Sequence, residues 1–347
     1  STTINSLVTG NTYNFRVAAV NAIGAGAFTN QANFELGSVP GVPQNFKVDL
    51  SLANAGPFIG PEAVEGAGFA LPKATWDAPT SGQPIIGYEV EYRKVGSSDW
   101  IPLIRDDVLS EEALLSLGLE EILNIDTDGL TQEELDELAA QVIQLVQSVF
   151  NSEEFEMRVA AVNSNGTGEF TEPQSVRTGL GATTCEGLQN VLFWGTFPEI
   201  TEEFEGQVFT LQTPYISLLN NIDCSETINW NDDEGWMPVG NLEYSGDIGY
   251  PFRGVFDGHG HTIQNLHIKR TENSGFSNSE YETTVGMFGA VKGGTVMNVK
   301  LEGGTIEGGS GAGALVGVMS QNSLVNGVES NATVISEGFA GGIVGVI

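Results

Sequence analysis

An acidic loop near the middle of the chain has residue types that bind a hard cation. Asp126 and Asp128 stand at alternate positions before Gly129, with Asn124 upstream and Glu134 downstream. Alternation turns both carboxylates to one side, the glycine permits a sharp turn, and a later glutamate completes an oxygen cage suited to calcium. The sequence therefore predicts a calcium site formed by Asn124, Asp126, Asp128 and Glu134.

The spacing of this loop departs from the EF-hand pattern. Leu135 occupies the position of the EF-hand glutamate, and Glu134 comes one residue earlier. The loop is nearer to the shorter Asp-x-Asp-Gly-Leu-Thr loops of calcium-rich extracellular repeats. The alternative is a loop that ends in a helix cap, because Thr131 and Glu134 form a capping box and the aspartates would favour the helix dipole.

Three histidines lie near Asp257 in the sequence and are candidates for metal binding or acid–base catalysis. His259 and His261 flank Gly260, and His267 follows in an alternating segment. Imidazole and carboxylate groups together could bind a metal or act in acid–base catalysis. Alternation sends neighbouring side chains to opposite faces, so we interpret the segment as a turn that leads into a strand.

The last third of the chain contains a repeat that is punctuated by glycines and predicts regular secondary structure. Gly289, Gly317 and Gly345 close short apolar segments at a step of 28 residues. A fixed period of this size indicates stacked units that bury their apolar faces against each other. Short segments rich in valine and isoleucine are typical of strands. The pattern predicts a right-handed parallel β-helix, with Asn298 stacked above Asn326 in a side-chain amide ladder. Val299 falls opposite Gly327 at this step, which predicts a local bulge or register shift.

The segments before the repeat add a resemblance to a known architecture. Residues 215–224, 236–240 and 252–268, followed by the glycine repeats, resemble bacterial surface proteins with GLUG repeats on a pectate-lyase-like β-helix. The resemblance covers 182–347 and implies a domain that continues beyond this range. Pectate-lyase-like folds include enzymes that cleave polysaccharides, but the acids of these repeats are scattered, which favours a non-enzymatic role.

A second motif occurs twice before the β-helix region. Residues 13–21 recur as 155–163, each followed by glycines at matching positions. Alternating apolar residues before an Asn-x-x-Gly-x-Gly turn indicate the last strands of a β-sandwich. The motif resembles fibronectin type III domains, with Tyr13 in the place of that family's tyrosine corner, whereas Phe155 lacks the hydroxyl group.

These resemblances divide the chain. Residues 1–36 would be the C-terminal part of one fibronectin type III domain, and 40–178 a complete domain with a helical insertion at about 105–150. The insertion either folds over one flank of the sandwich or presents a surface to a partner. The glycine-rich residues 178–181 are predicted to be a linker before the β-helix domain at 182–347.

Cys185 and Cys224 are the two cysteines of the chain. They flank the start of the predicted β-helix, which favours a disulfide that fixes its cap in an oxidising compartment. On the entropic model, such a bond would stabilise the fold by about 4 kcal/mol. Two buried thiols are the alternative, and two cysteines alone do not form a zinc site.

The composition is strongly acidic. Asp and Glu number 45 against 13 Lys and Arg, which gives a formal net charge of −32. Nucleic acids and anionic membranes are unfavourable partners for such a surface, because phosphate binding needs clustered cations. The charge favours solubility, cation binding and a saline setting. No segment of the sequence is long and apolar enough to insert into a membrane.

Together these features predict a mainly β chain, with fibronectin type III sandwiches followed by a right-handed parallel β-helix. We expect a non-enzymatic segment of a large extracellular structural or adhesive protein, such as a surface adhesin, a sheath component or a virion fibre. Its partners would be other protein chains or cell-surface glycans. The alternative is a carbohydrate-active β-helix, such as a tailspike-like polysaccharide depolymerase, which needs a groove with paired acids.

The segment 342–347 is apolar and does not resemble the polar cap that ends a stack of repeats. We therefore expect further chain or a partner to cover it.

Overall fold

The computed structural model describes part of the chain at the level of individual residues. The described residues are 4, 6–8, 11–35, 37–54, 64–102, 152–197, 199–204, 207–212, 214–241, 249–271 and 284–347. The predicted helical insertion at about 105–150 lies outside these ranges.

The chain folds as two compact units. The first comprises Ser1–Val48, Ala74–Leu114 and Glu156–Ser175, and the second comprises Asp49–Lys73, Leu115–Phe155 and Val176–Ile347. In this division the segment Asp49–Lys73 belongs with the second unit.

The first half of the chain supplies eleven described strands. They are β1 (Thr12–Phe15), β2 (Val20–Asn21), β3 (Gly24–Ala25), β4 (Ala32–Glu35), β5 (Gln44–Asn54), β6 (Ala67–Asp77), β7 (Gly87–Lys94), β8 (Ile101–Pro102), β9 (Glu154–Asn163), β10 (Gly166–Thr167) and β11 (Gln174–Arg177). In the first unit β1 pairs antiparallel with β4, and β9 lies between β7 and β10 and also pairs with β11.

The two copies of the motif in the first unit make matching hydrogen bonds. The hydroxyl oxygen of Thr29 accepts from the amide of Val17 at 3.0 Å, and that of Thr171 accepts from Val159 at 3.1 Å. An asparagine side chain, Asn21 or Asn163, likewise caps the turn in each copy. The sequence repeat is therefore also a repeat of local structure.

Tyr13 makes the contact expected of a tyrosine corner. Its hydroxyl group accepts from the amide of Val8 at 2.6 Å and lies 3.2 Å from the carbonyl oxygen of the same residue. In fibronectin-like sandwiches the corner tyrosine also bonds to backbone a few residues upstream. Phe155, its counterpart in the second copy, has no hydroxyl group to make this bond.

Arginine and aromatic side chains alternate on one face of the sheet that contains β7 and β9. The guanidinium of Arg158 lies 4.1 Å from the ring centre of Trp100 and 4.3 Å from that of Phe170. Arg93 covers Trp100 at 4.4 Å. Glu91 pairs with Arg158 at 2.6 Å. Trp100 therefore makes cation–π contacts with arginine side chains from both β7 and β9.

The second half of the chain contributes one helix, a short 3-10 helix and twenty strands among the described residues. They are β12 (Gly179–Ala182), α1 (Cys185–Trp194), β13 (Glu199–Phe204), β14 (Gln207–Gln212), β15 (Tyr215–Leu218), β16 (Ile222–Asp223), the 3-10 helix Ser225–Asn229, β17 (Val255–Asp257), β18 (Thr262–Gln264), β19 (His267–Arg270), β20 (Thr284–Val285), β21 (Phe288–Lys292), β22 (Thr295–Met297), β23 (Lys300–Glu302), β24 (Thr305–Gly308), β25 (Gly311–Gly313), β26 (Val316–Ser320), β27 (Leu324–Asn326), β28 (Glu329–Ser330), β29 (Thr333–Ser336), β30 (Phe339–Gly341) and β31 (Val344–Val346).

The predicted repeat forms parallel sheets. Five sets of strands pair in parallel, in the orders β12–β15–β17–β22–β27, β16–β18–β23–β28, β19–β24–β29, β20–β25–β30 and β21–β26–β31. Register aligns apolar residues across the strands, and the longest such row is Leu180, Ile216, Phe256, Val296 and Val325. The first four residues of this row are fully buried. The core of the second unit is therefore built from stacked apolar rows.

The step between paired strands is not uniform. Thr305 pairs with Thr333, which preserves the predicted step of 28, but Met297 pairs with Asn326, one residue further on. The predicted stacking of Asn298 above Asn326 is therefore wrong. Asn298 instead occupies a left-handed turn (φ 52°). The step changes from 28 to 29 because three residues separate Ser320 from Leu324, whereas two separate Lys292 from Thr295. It returns to 28 at Thr305 and Thr333.

The repeat glycines occupy positions where successive strands approach closely. A β-carbon at Gly317 would lie 2.8 Å from the carbonyl oxygen of Gly289, and one at Gly345 would lie 2.9 Å from that of Gly317. A larger residue at either position would push the backbones apart. Close approach is therefore the physical reason for the spacing of the glycines.

The predicted linker at 178–181 is wrong, because Gly179–Ala182 forms strand β12. Leu180 is fully buried and pairs with Ile216 on β15. A β-carbon at Gly179 would lie 2.1 Å from the carbonyl oxygen of Tyr215, so this glycine also serves close packing. Helix α1 follows, capped by the Thr184 hydroxyl oxygen, which accepts from the amide of Gly187.

Candidate functional site

A polar cluster lies on the face of the β15–β17 sheet that points away from the core. Ile216 and Leu218 point into the core, so Tyr215 and Ser217 point to the opposite face. Asp257, at the end of β17, pairs in register with Ser217. Sheet register thus brings together residues that are 40 positions apart in sequence.

The carboxylate of Asp257 is the centre of this cluster. The Tyr215 hydroxyl donates to Oδ2 at 2.5 Å, the amide of His259 donates to Oδ1 at 2.8 Å, and Nδ2 of Asn298 donates to the same oxygen at 3.1 Å. Asp257 is only 6% exposed. Three donors therefore compensate the burial of this carboxylate.

Burial, reinforced by the adjacent Asp257 carboxylate, raises the pKa of Tyr215 well above its ordinary value. A phenol with a raised pKa stays protonated at neutral pH. Tyr215 therefore acts as a permanent hydrogen-bond donor to Asp257.

His259 completes a serine–histidine–aspartate arrangement. Its Nε2 lies 3.0 Å from Oγ of Ser217, and its Nδ1 lies 4.0 Å from Oδ2 of Asp257. A nucleophilic serine needs both an adjacent base and a group that orients this base within hydrogen-bond reach. The histidine–aspartate separation exceeds that reach, and Ser217 is 0% exposed. In this geometry the cluster joins strands and a turn, and it does not present a nucleophile.

The other two predicted histidines do not join His259 in a metal centre. Among the described residues, no group of three or more His, Cys, Asp or Glu side chains could hold a metal ion. His267 lies on β19, which pairs with β24. Burial, followed by the nearby His259, lowers the pKa of His261.

A second polar row crosses strands β16, β18 and β23. Strand register pairs Asp223 with Gln264 and Gln264 with Glu302. The side-chain amide of Gln264 donates to the Glu302 carboxylate at 3.3 Å. The side chain of Asn265 lowers the pKa of Asp223, and Gln264 together with Lys300 lowers that of Glu302. Both carboxyl groups are thus held in the ionised form, which is not the form of a general acid.

The remaining site predictions divide into two groups. Cys185 and Cys224 form a disulfide, and both side chains are buried. It joins the first residue of α1 to the segment after β16. The proposed calcium ligands, Asn124, Asp126, Asp128 and Glu134, lie outside the described residues.

Sequence reasoning singled out Asp257 and His259 but missed Tyr215, Ser217 and Asn298. Alternation along 215–218 could have indicated that Tyr215 and Ser217 share a face. Their meeting with Asp257 depends on strand register, and no sequence period links β15 to β17.

No protein-family model matches the chain. Over 128 residues, or 37% of its length, the chain is 34% identical to Halomucin of Haloquadratum walsbyi (strain DSM 16790 / HBSQ001). The match spans 1% of that relative, which is therefore a very long polypeptide.

Solved structures with partial likeness include fibronectin domains. The FN1–FN3 domains of chicken CNTN1 are 14% identical, with a TM-score of 0.22 over 50% of this chain and 44% of that one. Domains A168–A170 of titin are 17% identical, with a TM-score of 0.26 over the same shares of the two chains. Scores this low do not establish a common overall arrangement.

Within the described part of the chain, no helix has the length and apolar character required to cross a bilayer.

Proposed function

We propose that this chain is a segment of a large extracellular structural or adhesive protein, in which fibronectin type III modules precede a right-handed parallel β-helix of the GLUG type. The observation that carries the proposal is the register of the parallel strands, which aligns apolar rows from β12 to β27. Stacked units of this kind provide long, stiff scaffolds.

Two further observations support an extracellular location. A buried disulfide is typical of proteins in oxidising compartments and is rare in the cytosol. The sequence similarity to part of Halomucin also supports an extracellular location.

The assignment of the N-terminal modules to the fibronectin type III class is supported by the hydrogen bond of Tyr13 to Val8 and by the matched hydrogen bonds of the two copies.

We also propose that the segment is not an enzyme and acts through contacts with other protein chains or surface glycans. The Ser217 hydroxyl is inaccessible, and the carboxyl groups of Asp223 and Glu302 favour the ionised form. Incubation with acidic polysaccharides would release no new reducing ends. Release that disappears in a Glu302→Gln variant would instead favour a polysaccharide depolymerase.

Location can be tested on intact cells of the source organism. Brief protease treatment should release peptides of this chain into the medium, while a cytosolic marker protein stays inside. Peptides that appear only after lysis would contradict the proposal.

Parallel stacking can be tested by cysteine cross-linking, since the native chain has no free cysteine. Thr305 and Thr333 are paired neighbours, so a Thr305→Cys, Thr333→Cys variant should be joined by a short thiol cross-linker. The matched control, Thr305→Cys with Ser336→Cys, places the thiols about 10 Å further apart along the strand and should not be joined. Equal cross-linking in both variants would contradict the register.

A further inference from the structure

Two tripeptides of the chain match the acceptor pattern for N-linked glycosylation. Asn165-Gly166-Thr167 and Asn331-Ala332-Thr333 both have the form Asn-x-Thr with no proline between. In a secreted protein this pattern marks a candidate modification site on the surface. The structure distinguishes the two by what their side chains contact.

Asn331 is exposed and lies between strands β28 and β29. Its Oδ1 accepts from the amide of Gly303 at 2.6 Å, and its own amide donates to the carbonyl oxygen of Leu301 at 3.1 Å. Within the described residues, neither Nδ2 of Asn331 nor the hydroxyl of Thr333 makes a hydrogen bond. Thr333 is also exposed. The nitrogen that would bear a sugar is therefore free, while the oxygen holds the side chain in place.

Asn165 is in a more restricted setting. Its Nδ2 donates to the carbonyl oxygen of Ser38 at 3.3 Å and lies 2.4 Å from the position of an added β-carbon on Gly37. The hydroxyl of Thr167 donates to Glu89 at 2.8 Å. Both groups of this acceptor are already engaged.

We propose that Asn331 carries an N-linked glycan, an inference that rests on the proposed extracellular location. The sugar donor is an oligosaccharide linked through its anomeric carbon to a polyisoprenyl phosphate. A bond forms between this carbon and Nδ2 of Asn331, the carbon–oxygen bond to the phosphate breaks, and Nδ2 loses one proton to a base of the transferase. The product is a secondary amide that keeps its carbonyl oxygen. The hydrogen bond from Gly303 to Oδ1 therefore survives the modification.

The native protein, purified from its source cells, provides the test. Cleavage after glutamate yields the peptides 330–337 and 157–169, which contain Asn331 and Asn165 respectively. Mass spectrometry should find peptide 330–337 with added sugar residues on the asparagine and peptide 157–169 without them. A fully unmodified Asn331 would overturn the proposal.

Two variants expressed in the same cells make the assignment specific. Thr333→Val removes the acceptor pattern but leaves Asn331 and its bond to Gly303 intact, so the sugar mass should disappear. Thr333→Ser preserves the pattern and should retain the sugar. Sugar that persists on peptide 330–337 in the Thr333→Val variant would contradict N-linked attachment by this pattern.

Failure of this inference can be separated from failure of the proposed function. If protease treatment of intact cells releases peptides of the chain and Asn331 is unmodified, the glycosylation site is contradicted and the proposed surface role still stands. A chain that is protected until lysis would sink both.

Discussion

The hydroxyl of Tyr215 and the carboxylate of Asp257 form a 2.5 Å hydrogen bond across two neighbouring parallel strands. Asp257 is nearly inaccessible to solvent, so water cannot replace this donor if it is removed. The pair therefore links the stability of the second unit to a single phenol.

Tyr215→Phe should destabilise the second unit by about 1–3 kcal/mol, because a buried carboxylate oxygen loses its partner. Urea unfolding measures the loss, and hydrogen exchange of the amides of β15 and β17 localises it. Tyr250→Phe is the matched control, since Tyr250 is 46% exposed and should change stability by no more than about 0.5 kcal/mol. Equal losses in the two variants would argue against a special role for the Tyr215–Asp257 pair.

The same pair predicts a dependence on alkaline pH. The pKa of Tyr215 is raised in the folded protein, first by burial and then by Asp257. The stabilisation by its protonated form is fully present below the ordinary tyrosine pKa of about 10 and is lost as the pH rises above it. The stability difference between the native chain and Tyr215→Phe should be constant from pH 7 to 9 and shrink at higher pH. A difference that stays constant up to pH 11 would contradict the raised pKa.

The sequence predicted the repeat well where its residues recur at a constant step. Gly317 and Gly345 recur because the preceding backbone lies against them, and Thr305 does pair with Thr333 as expected. Composition alone was misleading at 178–181, where glycine serves close packing between strands and not flexibility.

The polar cluster was less predictable, for a physical reason. Ser217 and His259 meet because β15 pairs with β17, across an intervening segment that follows no repeat. The mismatch of Val299 with Gly327 indicated a break in the step of 28, but it did not locate the extra residue, which lies in the turn between Ser320 and Leu324. Long-range register of this kind depends on turn geometry, and residue types alone do not determine it.

The stack of Arg158 on Trp100 should be energetically coupled. In a double-mutant cycle with Arg158→Met and Trp100→Leu, we expect a coupling free energy of about 0.5–1 kcal/mol, the range of partly exposed cation–π pairs. Urea unfolding of the native chain, both single variants and the double variant measures this coupling. Lys47→Met combined with Trp100→Leu is the control, because no cation–π contact joins Lys47 to Trp100 in the described part of the chain. A coupling no larger than in this control would show that the contact contributes nothing to stability.

The Cys185–Cys224 disulfide should contribute about 2–4 kcal/mol to the stability of the second unit. A reducing agent under mildly denaturing conditions should lower the urea midpoint of the native chain. It should have no effect on a Cys185→Ala, Cys224→Ala variant, because the chain has no other cysteine. A reducing agent that lowers the midpoint of both proteins equally would indicate an effect unrelated to this bond.

Calcium, if it acts through the predicted loop, should bind at Asp126 and Asp128 and stabilise the chain by mass action. Calorimetry with increasing calcium should then show a rising melting temperature. In an Asp126→Asn, Asp128→Asn variant this rise should be lost, because the site lacks the charge needed to hold a hard cation. Asp232→Asn with Asp233→Asn is the matched control, since it removes the same charge from an exposed turn and should preserve the calcium response. No shift at millimolar calcium, or equal shifts in both double variants, would rule out the loop and leave only general screening of a chain with a net charge of −32.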